Sequence, residues 1–207
     1  GPGGARLHIG VLDRLGELRD GGRATVRWLV DGDRSAAALA VRPNSREVSY
    51  LARVDDRPQV VVQSIDGGDE VPFARTPAIA AYRWRPDGQA IAFTALDPLP
   101  PLRQQAVELG IRPVVVDEDF RHLSLWVVER GGEPRRLTED CTVFGFEWAP
   151  DGSRLACAIA PRNLVDDSYV FQDLYLVDAA TGAQTLLVDL PGKLGPFVWS
   201  PDGTRIA

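Results

Sequence analysis

The chain has 207 residues, 44% of them apolar and 25% charged, with 20 Gly and 16 Pro; this balance fits a globular segment of many short strands and tight turns and excludes a disordered or fibrous chain. A formal net charge of −6 without a basic stripe argues against nucleic acid, and no apolar run is long enough to span a bilayer, so neither nucleic acid nor membrane is expected as a partner. Two cysteines, Cys141 and Cys157, do not make a disulfide framework; they favour a reducing, cytoplasmic setting, with a periplasmic or secreted one left open.

Residues 1–36 open with Gly1-Pro2-Gly3, which resembles the scar of a tag-removal protease. Beyond it, Leu7, Ile9 and Val11 alternate as in a strand, while Val11, Leu12, Leu15 and Leu18 also allow a short helix that Gly16 weakens. This segment is expected to be the remnant of an earlier repeat.

From residue 37 the chain repeats itself. Trp84-Arg85-Pro86-Asp87-Gly88, Trp148-Ala149-Pro150-Asp151-Gly152 and Trp199-Ser200-Pro201-Asp202-Gly203 share one motif, and Val41-Arg42-Pro43-Asn44-Ser45 is a weaker fourth copy. Pro presets φ for the second position of a type I turn, Asp can bond the nearby backbone, and Gly accepts the left-handed conformation that closes a hairpin. Ser45, standing where the others have Gly, tolerates positive φ less well, so the first copy has drifted. Each motif runs into a small apolar strand, as in Ala90-Ile91-Ala92-Phe93 and Arg154-Leu155-Ala156-Cys157. Alternating large and small side chains suit a strand packed between two sheets, and the Trp is expected to fill the space between them.

A second repeated element supplies two more strands per unit. Examples are Gln59 to Ser64 closing on Val71-Pro72-Phe73, Ser124 to Glu129 closing on Arg135 to Thr138, and Asp173 to Asp178 closing on Gln184 to Val188. Four antiparallel strands per unit make the chain all-β, a β-propeller fragment of about three complete blades plus partial ones. The blades are expected at 37–75, 79–139 and 143–189, with a further one beginning at 194–207 and stopping inside its second strand. An unclosed array leaves strand edges exposed, so self-association through open blade edges is expected.

The second blade carries an insertion at 96–122. Pro98, Pro100 and Pro101 break the strand, Leu102 to Leu109 can form two helical turns, and Gly110 can end them. Cys157 stands where Phe93 stands in the preceding unit and is expected to be a small buried apolar residue, with Cys141 in a connection.

Val115-Val116-Asp117-Glu118-Asp119-Phe120-Arg121-His122 running into Leu125-Trp126-Val127-Val128, followed by Gly131-Gly132-Glu133-Pro134-Arg135-Arg136-Leu137-Thr138, resembles the propeller of prolyl oligopeptidase family serine peptidases, in particular the acylaminoacyl-peptidase-like branch. Val165-Asp166-Asp167-Ser168-Tyr169 with Asp173-Leu174-Tyr175, and Pro191-Gly192-Lys193-Leu194-Gly195, are similar to that branch too. The Trp-x-Pro-Asp-Gly units alone are shared with TolB-like propellers. The peptidase resemblance implies a C-terminal α/β-hydrolase domain as partner, peptide as substrate, and a propeller that caps and filters access to the hydrolase.

The chain departs from that family where chemistry is concerned. It has no Gly-x-Ser-x-Gly elbow, and its only histidines are His8 and His122, so no catalytic residue is nominated and no hydrolysis is expected of the chain by itself. His122 reads as a polar residue at the start of a strand. Asp117, Glu118 and Asp119, or Asp166 and Asp167, have oxygens suited to a hard cation, but neither group has the spacing of a known ligand loop. They read as solvated loop charge; no metal or cofactor is expected. Under the peptidase resemblance, the loops 112–122 and 161–172 line the route of the peptide, with Arg121, Asp166, Asp167 and Tyr169 as substrate-channel candidates. The alternatives are a TolB-like protein-interaction propeller without catalysis, and a propeller enzyme or sugar-binding module with its site in the central channel.

Overall fold

The computed structural model describes residues 9–13, 25–30, 37–110, 120–189 and 192–207. It divides into two compact units, residues 1–73 and 74–207. In the first unit, β1 (Ile9–Asp13) pairs antiparallel with β2 (Thr25–Val30). These strands fall within the segment that also allowed a helix. The same unit holds a four-stranded sheet in sequence order: β3 (Ala37–Val41), β4 (Glu47–Val54), β5 (Arg57–Ser64) and β6 (Val71–Pro72). Val60, Val61 and Val62 in β5 are all buried, as in a central strand of β-branched residues covered on both faces.

The second unit holds two more such sheets. One is β7 (Ile79–Trp84), β8 (Ala90–Leu96), β9 (Leu123–Glu129) and β10 (Arg135–Arg136); the other is β11 (Thr142–Trp148), β12 (Arg154–Ala160), β13 (Asp173–Asp178) and β14 (Gln184–Val188). Each sheet is an antiparallel meander, which makes it a propeller blade. After them, Trp199 bridges Ile206, and Val198 and Ala207 exchange backbone hydrogen bonds, forming a final hairpin. The first strand of every blade carries a bulge near its start: between Ala37 and Ala40, Ile79 and Ala81, and Val143 and Gly145.

The two blades of the second unit share a core. Leu125, Val127 and Leu137 of one pack with Val143, Phe146, Trp148, Leu155, Cys157, Ile159 and Val177 of the other. Fully burying a side chain such as Leu155 contributes about 1.5–3 kcal/mol. Cys157 is wholly buried there, and burial pushes its thiol well above the ordinary range. Thr142 pairs with Ala160, which sets Cys141 about four residues along the ladder from Cys157, beyond disulfide reach, and both are free thiols.

The repeated Trp does more than fill space. Trp148 Nε1 donates to the Arg83 carbonyl at 3.1 Å, and Trp199 Nε1 donates to the Glu147 carbonyl at 3.1 Å. The acceptor in both cases is the residue before the preceding blade's Trp, so one hydrogen bond recurs at both of these junctions within the second unit. The turn glycine is used twice as well. Gly152 has φ +70 and Gly203 φ +70, and a Cβ on Gly152 would lie 3.0 Å from the Arg85 side chain. In the drifted copy the left-handed residue is Asn44, at φ 55, one place before Ser45. The Ser45 hydroxyl donates to the Arg42 carbonyl, the role that the Gly88 amide has toward Arg85.

These meanders give the second unit two distinct ends. The Trp-x-Pro-Asp-Gly turns and the tight turns before β10 and β14 form the turn end. The long connections β8 to β9 and β12 to β13 form the loop end.

Candidate functional site

The loop end gathers the sequence candidates. The β8–β9 connection folds α1 (Pro101–Glu108), one residue earlier than the sequence suggests. Pro101 sits at the first helical position, where its missing N–H costs nothing, and Gly110 takes φ 76 after the helix. No residue of α1 is buried, and Leu102 and Leu109 are 82% and 76% exposed. The β12–β13 connection is not a plain loop: it folds α2 (Val165–Val170). Asp166 and Asp167 in its first turn favour the positive end of the helix, and Ser168 Oγ donates to the Val165 carbonyl. Val165, Tyr169, Val170 and the following Phe171 remain exposed.

A network of polar groups roots the β8–β9 connection. Arg136 Nη2 donates to Asp97 Oδ2 at 2.7 Å and to Ser124 Oγ at 2.9 Å, and Ser124 Oγ donates to Asp97 Oδ1 at 2.6 Å. The Arg136 guanidinium also lies 6.0 Å from the centroid of the Trp126 ring, which stacks on Phe93. The pair is partly buried and fully engaged, so loss of Arg136 would strand the Asp97 charge.

The two connections are joined across the blades. Asn163 Nδ2 donates to the Arg121 carbonyl at 2.9 Å. Beside it, His122 Nδ1 lies 3.1 Å from Thr142 Oγ1, and Phe120 packs edge-on against the His122 ring at 5.2 Å. His122 is therefore a structural pin between blades. Arg121 is held by its backbone, and among the described residues no hydrogen bond or ion pair engages its guanidinium.

Asp167 departs from the expected solvated loop charge. Its side chain is 1% exposed, and both oxygens receive the Arg162 guanidinium, Oδ1 at 2.8 Å and Oδ2 at 3.1 Å. A carboxylate so occupied supports α2 from within and is not presented to a ligand or cation. Asp166 and Tyr169 are exposed, and Lys193 Nζ sits 4.8 Å from the centroid of the Tyr169 ring. Arg121, Asp166 and Tyr169 thus lie in the connections at one end of the second unit, Asp166 and Tyr169 exposed, while the Asp167 carboxylate is buried against Arg162. Asp117, Glu118 and Asp119 lie outside the described residues. Among the described residues, no group of three or more His, Cys, Asp or Glu is placed to hold a metal ion.

Asn163, Thr142, Arg162 and the Asp97–Ser124–Arg136 network were not nominated from sequence. Ser124 and Arg136 lie in the second repeated element, where nothing marks them as paired, the others belong to no motif, and each acts through a partner 5 to 42 residues away. A wedge-shaped cavity of about 340 Å³ opens instead at the turn end, between Arg85, Glu129, Glu133, Arg135 and Trp148. Its guanidinium groups are occupied: Arg85 binds Asp87, and Arg135 donates to the Ala179 carbonyl.

Four-stranded meander blades locked by a repeating Trp hydrogen bond define the class: this chain is a piece of β-propeller. Solved structures bear this out. TolB from Acinetobacter baumannii matches with TM-score 0.57 and 16% identity over 88% of this chain and 39% of that one. The acylaminoacyl peptidase of Pyrococcus horikoshii matches with TM-score 0.61 and 14% identity over 97% and 30%, and puromycin hydrolase with 0.51 and 23% over 83% and 27%. At these identities the likeness is one of fold, and the chain spans less than half the length of each. No protein-family model and no curated protein matches the sequence. Among the described residues, no helix is long and apolar enough to cross a membrane.

Proposed function

We propose that this chain is the non-catalytic propeller portion of a prolyl oligopeptidase-type serine peptidase, acylaminoacyl-peptidase-like, that caps an α/β-hydrolase domain and filters the peptides reaching it. The observation that carries the reading is the loop end. Two long connections from adjacent blades are tied through Asn163 and the Arg121 backbone; among the described residues no hydrogen bond or ion pair engages the Arg121 guanidinium, and Asp166 is exposed. Peptidases among the structural neighbours support it. A pinned backbone beneath a guanidinium that no other described residue engages suits a peptide carboxylate, because the charge-assisted bond forms without first ordering the loop. Asp166 offers the opposite charge to an amine. The effect is orientational: loss of Arg121 weakens substrate affinity and leaves the chemical step, on another domain, unchanged.

The exposed apolar side chains of α1 and α2 suit contact with a folded neighbour, which the proposed hydrolase supplies. They equally fit the second reading, a TolB-like propeller whose rim binds a protein partner.

The two readings separate in a binding experiment on the purified chain with short labelled peptides and with the same sequences inside a folded protein. The peptidase reading predicts binding of the short peptides only, about tenfold weaker for Arg121→Ala, and no hydrolysis of peptide or ester. Hydrolysis by the pure chain, or equal affinity of the wild type and Arg121→Ala for the peptides, would overturn it.

A further inference from the structure

The loop end holds a further cation, on a third connection. Lys193 follows β14, and its Nζ reaches α2, 4.8 Å from the centroid of the Tyr169 ring. It is the single lysine among 23 basic residues, and it is exposed. The two cations that touch α2 are held in opposite ways. Arg162 is neutralised, its guanidinium bonding both oxygens of the buried Asp167 carboxylate. Lys193 is placed by an aromatic ring, which fixes the ammonium without cancelling its charge. Among the described residues no carboxylate lies within ion-pair distance of it.

Asp166 stands three residues before Tyr169 on the same helix, so the two share a face with about 5–6 Å between their Cβ atoms. Both are exposed. A ligand laid along that face meets a carboxylate and, one turn on, an ammonium. Its complement carries an amine followed closely by an acid. A peptide with an acidic residue at its amino end has that order: an extended chain advances about 3.4 Å per residue, so an amine at Asp166 brings the first or second side chain toward Lys193. The net charge of −6 disfavours acidic ligands in general, so a preference for one has to come from a local contact.

We infer that the loop end selects short peptides with Asp or Glu as the first or second residue, Asp166 receiving the amine and Lys193, steadied on Tyr169, receiving the side-chain carboxylate. The inference rests on the peptide-binding reading above, with Arg121 at the other end of the peptide, and adds the class of substrate. Tyr169 then acts as a positioning residue: its ring orders the lysine before the ligand arrives, so less side-chain freedom is lost on binding.

Calorimetric titration of the purified chain with Ala-Glu-Ala-Ala-Phe, Ala-Gln-Ala-Ala-Phe and Ala-Ala-Ala-Glu-Phe tests this. The first peptide should bind about three- to fivefold more tightly than the second, as an exposed ion pair allows. Lys193→Met keeps an unbranched stem over the ring and should erase that preference, while Lys193→Arg should retain it. Lys193 is exposed, so neither substitution disturbs the core. Arg121→Ala should weaken the first two peptides in the same proportion and leave the preference intact. For the third peptide, whose acid lies near the far end, Lys193→Met should cost less than for the first. Equal affinity of the wild type for the Glu and Gln peptides, a preference that survives Lys193→Met, or an equal loss for the first and third peptides would overturn the inference and leave the peptide reading standing. Failure of all three peptides to bind would overturn that reading, and the inference with it.

Discussion

At the turn end of the second unit, three copies of one turn are each closed from within. Asp87, Asp151 and Asp202 accept the amide two residues on, from Gln89, Ser153 and Thr204, and glycine takes the left-handed position in each. At the loop end the same strands run into connections that differ from blade to blade, carry helices with exposed apolar side chains, and are held by unrepeated contacts such as Asn163 to Arg121. Under the proposed function, repetition at one end and divergence at the other would separate the residues that make the fold from those that give this copy its use. Stability should therefore respond to substitutions at blade junctions and turns, and recognition to substitutions among the loops.

The sharpest way to break that contrast is Trp148→Ala. It removes a core aromatic and the junction hydrogen bond together, and is expected to cost about 3–5 kcal/mol in urea unfolding. Gly182→Ala comes next. The residue has φ +77, and a Cβ would lie 2.6 Å from the Leu137 carbonyl of the neighbouring blade. The left-handed backbone costs about 1–2 kcal/mol and the overpacking about 1–3 more. Asn163→Ala should cost about 0.5–1.5 kcal/mol, yet raise amide exchange throughout 120–122. Leu102→Ser, on the exposed face of α1, should stay within about 0.5 kcal/mol of the wild type.

Acid should also act on the turn end first. The Arg85 side chain holds the Asp87 carboxyl below its ordinary value of 3.8, and hydrogen bonds from Ser153 and from Ser200 and Thr204 do the same for Asp151 and Asp202. A carboxyl with a depressed folded pKa is more readily protonated when unfolded. Its contribution is thus present above pH 3.8 and lost as pH falls through the folded value. Thermal unfolding from pH 6 to pH 2 should show the midpoint dropping below about pH 4. The Asp151→Asn variant should show a smaller drop.

The contrast also accounts for what could be read in advance. Blade strands and turns were legible because each copy of the repeat tests the others: Pro86, Pro150 and Pro201 recur with Asp and Gly at fixed offsets. α1 was legible from its prolines and Gly110. α2 was not, since Val165 and Val170 are β-branched and Asp, Ser and Tyr are indifferent helix formers; its support, the Arg162–Asp167 pair, is a tertiary fact. Asp167 was misread as solvated for the same reason. Sequence shows a carboxylate but not the guanidinium folded over it. Trp148 and Trp199 were seen as space-filling, and their hydrogen bonds could not be, because the acceptors are backbone carbonyls 65 and 52 residues back.

The central claim is that recognition belongs to the loop end. Amide hydrogen exchange of the purified chain, with and without a short peptide, tests it most directly. The account predicts new protection at 120–122 and 161–172, and none at the turns 85–88 and 149–152. Protection confined to those turns, or no change at saturating peptide, would contradict it.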